Sequence, residues 1–335
     1  MSDIKLNSLN KKITSYIEIL FLAASATLKN DSIQGERHRK YHALLENTLT
    51  DLGFRVSSSS NLTIMLSKPE QQYIYGIHSH SWFNGKEIFT SALSEYHGLP
   101  YLGPPPTIRA VSEDKKLFKL LAKAVGIPVL PEYSLKQFIL EFDQLSQSGT
   151  KSFILKPRNG IASQYIYYIE HLDQLSSILP ILPQNLLHND MLIIEPYVDG
   201  INISVPIIEG ININALPIYE EFDDNPQNII TFEGKRRISN GYHRKVYNGE
   251  LVFLLKKYAC LIEKEIRPYD YGRFDFRCDV KSGIPYLIDA NLICNLSKGS
   301  VVATAAKDIG VEYKDLIGHI LSTSITRQLQ KLDKI

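Results

Sequence analysis

Residues 272–302 read GRFDFRCDVKSGIPYLIDANLICNLSKGSVV, and two acids, Asp275 and Asp289, stand in runs that otherwise read as buried strand. RFDFRCDV alternates charged and apolar residues, the period of a half-buried strand. Arg273, Asp275 and Arg277 therefore share one face, and Phe274, Phe276 and Cys278 the other. IPYLIDAN reads as a second strand, with KSG between the two. A three-residue hairpin loop ending in Gly is a common form. With Ser282 at its centre, residues equidistant from it face each other: Asp275 opposite Asp289, Arg273 opposite Asn291. Like charges directly opposite are destabilising. A cation between them reverses that sign, and two carboxylates plus an amide oxygen are hard ligands suited to Mg²⁺ or Mn²⁺. A solvated, exposed hairpin face is the alternative that this pattern leaves open.

The rest of the chain sets the frame for that hairpin. Its 335 residues suffice for two or three domains, and 44% hydrophobic with 22% charged residues is ordinary for a soluble globular protein. A net charge of +1 gives no electrostatic footprint for nucleic acid. Cys260, Cys278 and Cys294 are far apart and odd in number, which fits a reducing, cytoplasmic compartment. In such a compartment the N-x-S/T triplets at Asn61, Asn202 and Asn295 carry no meaning. KKITSYIEILFLAASATLKN mimics a signal peptide, but Glu18 interrupts its apolar part, and YIEILFLAA reads as a first core strand. No apolar run is long enough to span a bilayer.

Strands alternate with helices through the first hundred residues, the pattern of a doubly wound parallel unit. GERHRKYHALLENTLTDLGFRV reads as a helix ending near Gly53, QYIYGIHSH as a strand, and GKEIFTSALSEYHGLPYLGP as a helix followed by a short strand. Pro104, Pro105 and Pro106 form a breaker, placing a boundary near residue 105. SEDKKLFKLLAKAVGIPVLP reads as a helix with Ser112 as N-cap and Gly126 as terminator. SFILKP, QYIYYI and DMLIIEPYVDG read as strands, and YKDLIGHILSTSITRQLQKL as a C-terminal helix. IYEEFDD, around Glu220, reads as a solvated acidic loop.

Neither G-x-x-x-x-G-K-[ST] nor G-x-G-x-x-G occurs, so a bound nucleotide needs another cradle. Lys115 in EDKKLFK and Lys156 in FILKPRNG supply point charges suited to phosphates, and LIIEPYVDG is a strand running into a turn whose backbone could pair with an adenine edge. Read together with the hairpin, these segments resemble the ATP-grasp superfamily, specifically the D-alanine–D-alanine ligase family. GLPYLGPPPTIRAVSEDKKLFKLLAKAVGIPVLP, FILKP, LIIEPYVDG, GRFDF, IDAN and SVVATAAKDIG carry the resemblance, the G-R-x-D with (D/E)-A-N pairing being its most specific part.

The resemblance implies an α/β, three-domain ATP-grasp fold: residues 1–105, a doubly wound substrate domain, 106–194 and 195–335, with ATP between the last two. It implies Mg²⁺ or Mn²⁺ on Asp275, Asp289 and Asn291, an oxyanion held by Arg273, and phosphates on Lys115 and Lys156. Lys235 in TFEGKR would reach the γ-phosphate, and the backbone of Glu195 and Val198 the adenine. Ser300 matches a serine that places the acceptor's carboxylate, and Glu36 in GERHR a glutamate that holds the donor's ammonium. Acyl-phosphate chemistry on small-molecule carboxylate and amine substrates follows. The resemblance allows a homodimer; nothing in the composition speaks to it.

This sequence departs from the family pattern. Asn202 stands at the ribose-binding acid, PRNGIASQY replaces the Gly-Ser-Ser loop, and Asp289 is a methylene shorter than the usual Glu. Asn295 stands at the glycine expected after the metal asparagine, with Lys298 nearby, and HSHSWFNGKE replaces the HGxxGEDG signature. These last changes fall around the substrates and not the ATP, so substrates other than two D-alanines are expected. LICNLSKGSVV is similar to the ligases that attach an amino acid to mycosporine-glycine. An ordinary D-Ala–D-Ala ligase and a degenerate nucleotide-binding regulator are the competing readings. His78 and His80 alternate at a strand end without further ligands, which disfavours zinc.

Overall fold

The computed structural model describes residues 5–9, 11–23, 33–61, 64, 66, 74–78, 88–147, 149–160, 163–187, 191–235 and 241–332. Among the described residues, twelve strands form three sheets. In the first, β1 (Glu18–Leu22) lies between β2 (Arg55–Ser59) and β3 (Ile74–His78), both parallel to it. The second is antiparallel, in the order β4 (Tyr133–Ser134), β7 (Leu192–Pro196), β5 (Phe153–Pro157), β6 (Tyr167–Ile169). The third is antiparallel too: β10 (Tyr242–Val246), β9 (Tyr219–Asp223), β8 (Gly200–Ile208), β11 (Tyr271–Asp279), β12 (Pro285–Leu292). Sheet membership changes after Pro196.

The ambiguous first segment forms a strand: Ile19 to Leu22 are buried, behind a short helix Lys11–Tyr16. The helix Ile33–Asp51 follows and stops before Gly53, whose φ of +94° suits a residue without Cβ. Expected short-strand character at Tyr101 is reduced to a single bridge. The helix read as one piece from Ser112 is two, Pro106–Glu113 and Lys115–Ala124. Asp114 is the cap, accepting from Leu117 N at 3.1 Å, while Ser112 is buried in the preceding turn. Asp and Ser cap equally well, so local chemistry did not separate them. IYEEFDD corrects more sharply: it is β9, and Glu221 is only 3% exposed.

The facing pairs expected in the hairpin are present, for a different reason. Asp275 pairs with Asp289 and Arg273 with Asn291. The loop, however, spans residues 280–283, closed by Asp279 N to Ile284 O at 3.0 Å, and not three residues. Beyond it Phe276 pairs with Leu287, and a bulge at Ile288 restores the register at Asp275. Two one-residue deviations cancel.

Alternation gives the third sheet two unlike faces. Ile203, Val205, Ile207, Phe274, Phe276, Cys278 and Leu287 pack against the helices Val252–Ile266 and Lys115–Ala124. The opposite face carries Asn202, Ser204, Arg273, Asp275 and Arg277 toward a cleft. A separate core joins β1 to the helices Val301–Asp308 and Tyr313–Leu332. Among the described residues, no helix is long and apolar enough to cross a membrane.

The C-terminal helix is bolted to the rest through Asp270, which is 1% exposed. Its carboxylate accepts from Gly103 N at 2.5 Å and Ser324 Oγ at 2.8 Å, and pairs with Arg327 at 2.7 Å. Arg327 also meets Glu209 at 3.2 Å. Burial raises the Asp270 carboxyl from 3.8 to about 6 although Arg327 opposes the shift. The folded state thus holds this proton more tightly than the unfolded chain, so the group costs stability as pH rises through that interval. Arg327→Met leaves the carboxylate stranded and is expected to cost about 3 kcal/mol at pH 8. The deficit should shrink toward pH 5, where protonation removes the charge. Urea unfolding at both pH values measures it; equal deficits would assign the loss to packing instead.

Candidate active site

The cleft encloses about 940 Å³ between the second and third sheets. Its floor is the polar face of β8, β9, β11 and β12. Asp275 accepts from Ser204 Oγ at 2.6 Å and lies 3.2 Å from Arg273 Nε. Asn291 Nδ2 sits between the two facing acids, 3.2 Å from Asp275 Oδ2 and 3.4 Å from Asp289 Oδ2. Lys115 Nζ is 3.9 Å from Asp289. Burial works against the charge on Arg273, but Asp275 and then Glu221 outweigh it and hold the guanidinium firmly protonated.

These contacts test whether a hard cation fits. Among the described residues no group of three His, Cys, Asp or Glu side chains gathers at one point, so the donor set is two carboxylates and one amide. The amide now supplies its N–H₂ to both acids. A half-turn about its terminal torsion presents the oxygen instead, giving an all-oxygen set open to the cleft. The set fits Mg²⁺ or Mn²⁺.

The opposite wall holds the lysines. In β5, Phe153 and Leu155 face the small sheet's core, so Ile154 and Lys156 face the cleft. The loop after β5 is tied to the cap of the next helix: Arg158 pairs with Asp114 at 2.7 Å, and Lys115 Nζ donates to Gly160 O at 2.9 Å. Lys156 is 6% exposed and pairs with Glu195 at 2.7 Å; Lys119 pairs with both Glu195 and Glu132. Burial first, then Lys119 and Lys115, hold the Lys156 ammonium well below its usual range. The site is short of negative charge, which suits a polyphosphate.

At the far end, Tyr197 N donates to Ser152 O at 2.9 Å, continuing the β5–β7 ladder. By antiparallel alternation the Pro196 carbonyl falls outside that ladder. Val198 N–H has no acceptor among the described residues, and both residues line the cleft. Asn202 is fully engaged: Nδ2 donates to Asn228 O at 2.9 Å and Glu221 O at 3.2 Å, and Oδ1 accepts from Arg277 at 2.9 Å.

At the near end, the loop after β12 brings Cys294, Asn295, Ser297 and Gly299 to the cleft. Ile293 has φ +62° and packs where a Cβ on Gly103 would stand 1.8 Å away, so the N-terminal part of the chain fixes the loop. Asn295 is exposed and turns its Oδ1 to Ser297 N at 2.7 Å. Ser300 caps the next helix, accepting from Ala303 N at 3.2 Å, which leaves its own O–H free to donate. Lys298 is exposed, stacks over Tyr313, and is not among the lining residues. Glu36 is exposed too and pairs with Lys40 at 2.6 Å; Lys40, not Glu36, lines the cleft. Lys235 ends the short helix Phe232–Lys235, and its side chain lies outside the described residues, as do His80 and the side chain of His78.

Among the lining residues to which the sequence reading gave no site role are Glu221, Arg244 and Arg277. Glu221 accepts from Tyr242 Oη at 2.7 Å beside Arg273, and Arg244 donates to Gly299 O at 2.6 Å. Arg277 shares the face of Asp275, an alternation already visible in RFDFR.

Clustered lysines, facing acids and a backbone edge outside the ladder, set between two antiparallel sheets, match the arrangement expected of an ATP-grasp ligase. The family model described as "D-ala D-ala ligase C-terminus" matches residues 121–322, more than half of the chain. The chain belongs to this family. It is similar to the D-alanine–D-alanine ligase of Aquifex aeolicus, 27% identical over 257 residues, spanning 76% of this chain and 82% of that one. Its fold is that of the Bacillus anthracis D-alanine–D-alanine ligase complexed with ATP: TM-score 0.69, 19% identity, 94% of this chain and 99% of that one. The VanG D-Ala:D-Ser ligase of Enterococcus faecalis shares it as well, with TM-score 0.68, 14% identity, and 92% and 99% covered. The protein is an ATP-dependent ligase.

Lys156→Ala should weaken binding of a non-hydrolysable ATP analogue about ten- to a hundredfold, the loss of one charge-assisted contact of about 1.5–3 kcal/mol. Calorimetric titration reads this directly. Equal affinity for the two proteins would remove Lys156 from the phosphate site.

Proposed function

We propose that the protein joins a small carboxylate to an amino acid's amine at the expense of ATP, with substrates other than a pair of D-alanines. The observation that carries the ligase part is the single polar face that gathers Arg273, Asp275, Asp289 and Asn291, with Lys115 3.9 Å from Asp289. Asp275, Asp289 and Asn291 would hold Mg²⁺ or Mn²⁺, which when bound neutralises phosphate charge. Lys115 and Lys156 orient the phosphates, and Lys235 is assigned to the γ-phosphate from its place in the sequence. The donor's carboxylate oxygen attacks the γ-phosphorus, and ADP leaves. The acceptor's amine then attacks the acyl carbon, phosphate leaves, and the amine's proton is released. Arg273, held protonated, faces the oxyanion of that second step. The enzyme's contribution is position and fixed charge.

What favours different substrates is the near end. A guanidinium, Arg244, and a side-chain amide, Asn295, stand around the loop that leads to Ser300. The family that joins amino acids to mycosporine-glycine has a similar loop. A ligase for two D-alanines is the second reading, favoured by what the Aquifex aeolicus relative is named for. A panel of carboxylates and amines, D-alanine included, scored by phosphate release, decides between them. Release that needs no carboxylate and no amine would point to a nucleotide-binding regulator.

Asp275→Asn is expected to lower turnover more than about a hundredfold. Fold stability should change little, because relief of repulsion at Asp289 opposes the loss of a partner for Arg273. Wild-type turnover in that variant would break the metal assignment.

The acceptor's carboxylate is assigned to the free O–H of Ser300 and the start of its helix. Ser300→Ala should raise the acceptor's KM about tenfold, one lost hydrogen bond to a charged group, while the KM for ATP stays within about twofold. An acceptor with its carboxylate amidated should lose as much in the wild type. Full activity on the amide would show that this end does not read a carboxylate.

A further inference from the structure

Arg277 has no role in the chemistry above, yet it is the most heavily bonded side chain of the cleft floor and is 6% exposed. A guanidinium has five N–H donors in a fixed fork. Here each of its three nitrogens has an acceptor. Nε donates to Val198 O at 2.8 Å. One terminal nitrogen donates to Asn202 Oδ1 at 2.9 Å and Asn228 O at 2.8 Å, the other to Gln227 O at 3.0 Å and Tyr197 Oη at 3.2 Å. Five acceptors match five donors, so nothing is left for a ligand. Its face also stands over the Tyr197 ring, 5.3 Å from the centroid.

What these acceptors share is position. Tyr197 and Val198 form the backbone edge whose neighbouring C=O and N–H lie outside the ladder. Gln227 and Asn228 lead into Ile229 and Ile230, which line the cleft. Asn202 belongs to β8. Tyr197 Oη closes the ring by donating to Gln227 O at 2.8 Å. One side chain therefore fixes both a hydrogen-bonding edge and the apolar wall beside it. A flat heterocycle needs both, one for its rim and one for its face. Arg277 reaches them from β11, two residues past Asp275.

We propose that Arg277 is the positioning residue of a preformed base site, holding the Tyr197–Val198 edge and the Ile229–Ile230 wall in register with the strand that carries Asp275. The inference rests on the reading that a nucleotide's base meets this edge. Arginine's fork is what the geometry requires: a lysine has the charge but cannot span acceptors on three segments.

The test separates base from phosphates. Binding of AMP-PNP and of inorganic tripolyphosphate, each with Mg²⁺, is measured by calorimetry for the wild type, Arg277→Met, Arg277→Lys and Tyr197→Phe. Both Arg277 variants should lose at least tenfold in affinity for AMP-PNP and less than twofold for tripolyphosphate. Tyr197→Phe, which removes only the hydroxyl link, should lose about threefold for AMP-PNP alone, and it decides the matter should the Arg277 variants not fold. Wild-type affinity for AMP-PNP in the variants that fold overturns the proposal. So does an equal loss for both ligands, which marks a general structural role. If the wild type binds tripolyphosphate but gains nothing from the nucleoside, the base reading itself falls, and the role of Arg277 with it.

Discussion

Two carboxylates held face to face are the constraint around which the cleft is arranged. Asp275 and Asp289 are cross-strand neighbours on a half-buried face, where like charges repel. Every polar neighbour supplies a compensating donor: Ser204 and Arg273 to Asp275, Lys115 near Asp289, and Asn291 to both. The repulsion is tolerable because the opposite face of the same strands is uniformly apolar and packed, so the strands cannot move apart. A packed interior thus maintains an arrangement that the charges alone would dismantle.

The second wall is organised by the opposite excess. Lys119 and Lys156 converge on Glu132 and Glu195, Lys115 repels both from beside Asp289, and Arg158 closes the same corner through Asp114. Facing acids on one side and clustered ammonium groups on the other create a field across the cleft. An anionic ligand with a hard cation would discharge both at once.

Much of this was legible because strand alternation is a strong signal. RFDFRCDV showed which residues of β11 face the cleft, whereas FILKP marked Lys156 only as a charge at the end of an apolar strand. Capping was legible only to within two residues, since Ser112 and Asp114 are equally good local candidates. Glu221 was missed because acidic residues in a short run read as solvent-exposed, and only tertiary pairing with β8 and β10 buries them. Arg277 was on the right face, but its five partners come from segments up to 80 residues away, which no local pattern encodes. Glu36 was singled out by likeness in sequence and Lys298 by its nearness to Ser300; the residues that line the cleft beside them are Lys40 and Arg244.

The bulge at Ile288 bears on how such a pocket can change over evolutionary time. A regular strand offers a cleft every second residue and commits the others to the core. Here Leu287 is fully buried, whereas Ile288 and Asp289 both line the cleft. An apolar surface and a carboxylate thus occupy consecutive positions without either invading the interior. Residue 288 becomes a place where the pocket's shape can drift, larger or smaller, while its neighbour keeps the charge pairing intact. An irregularity in the ladder thus separates the shape of the wall from the charge pairing beside it.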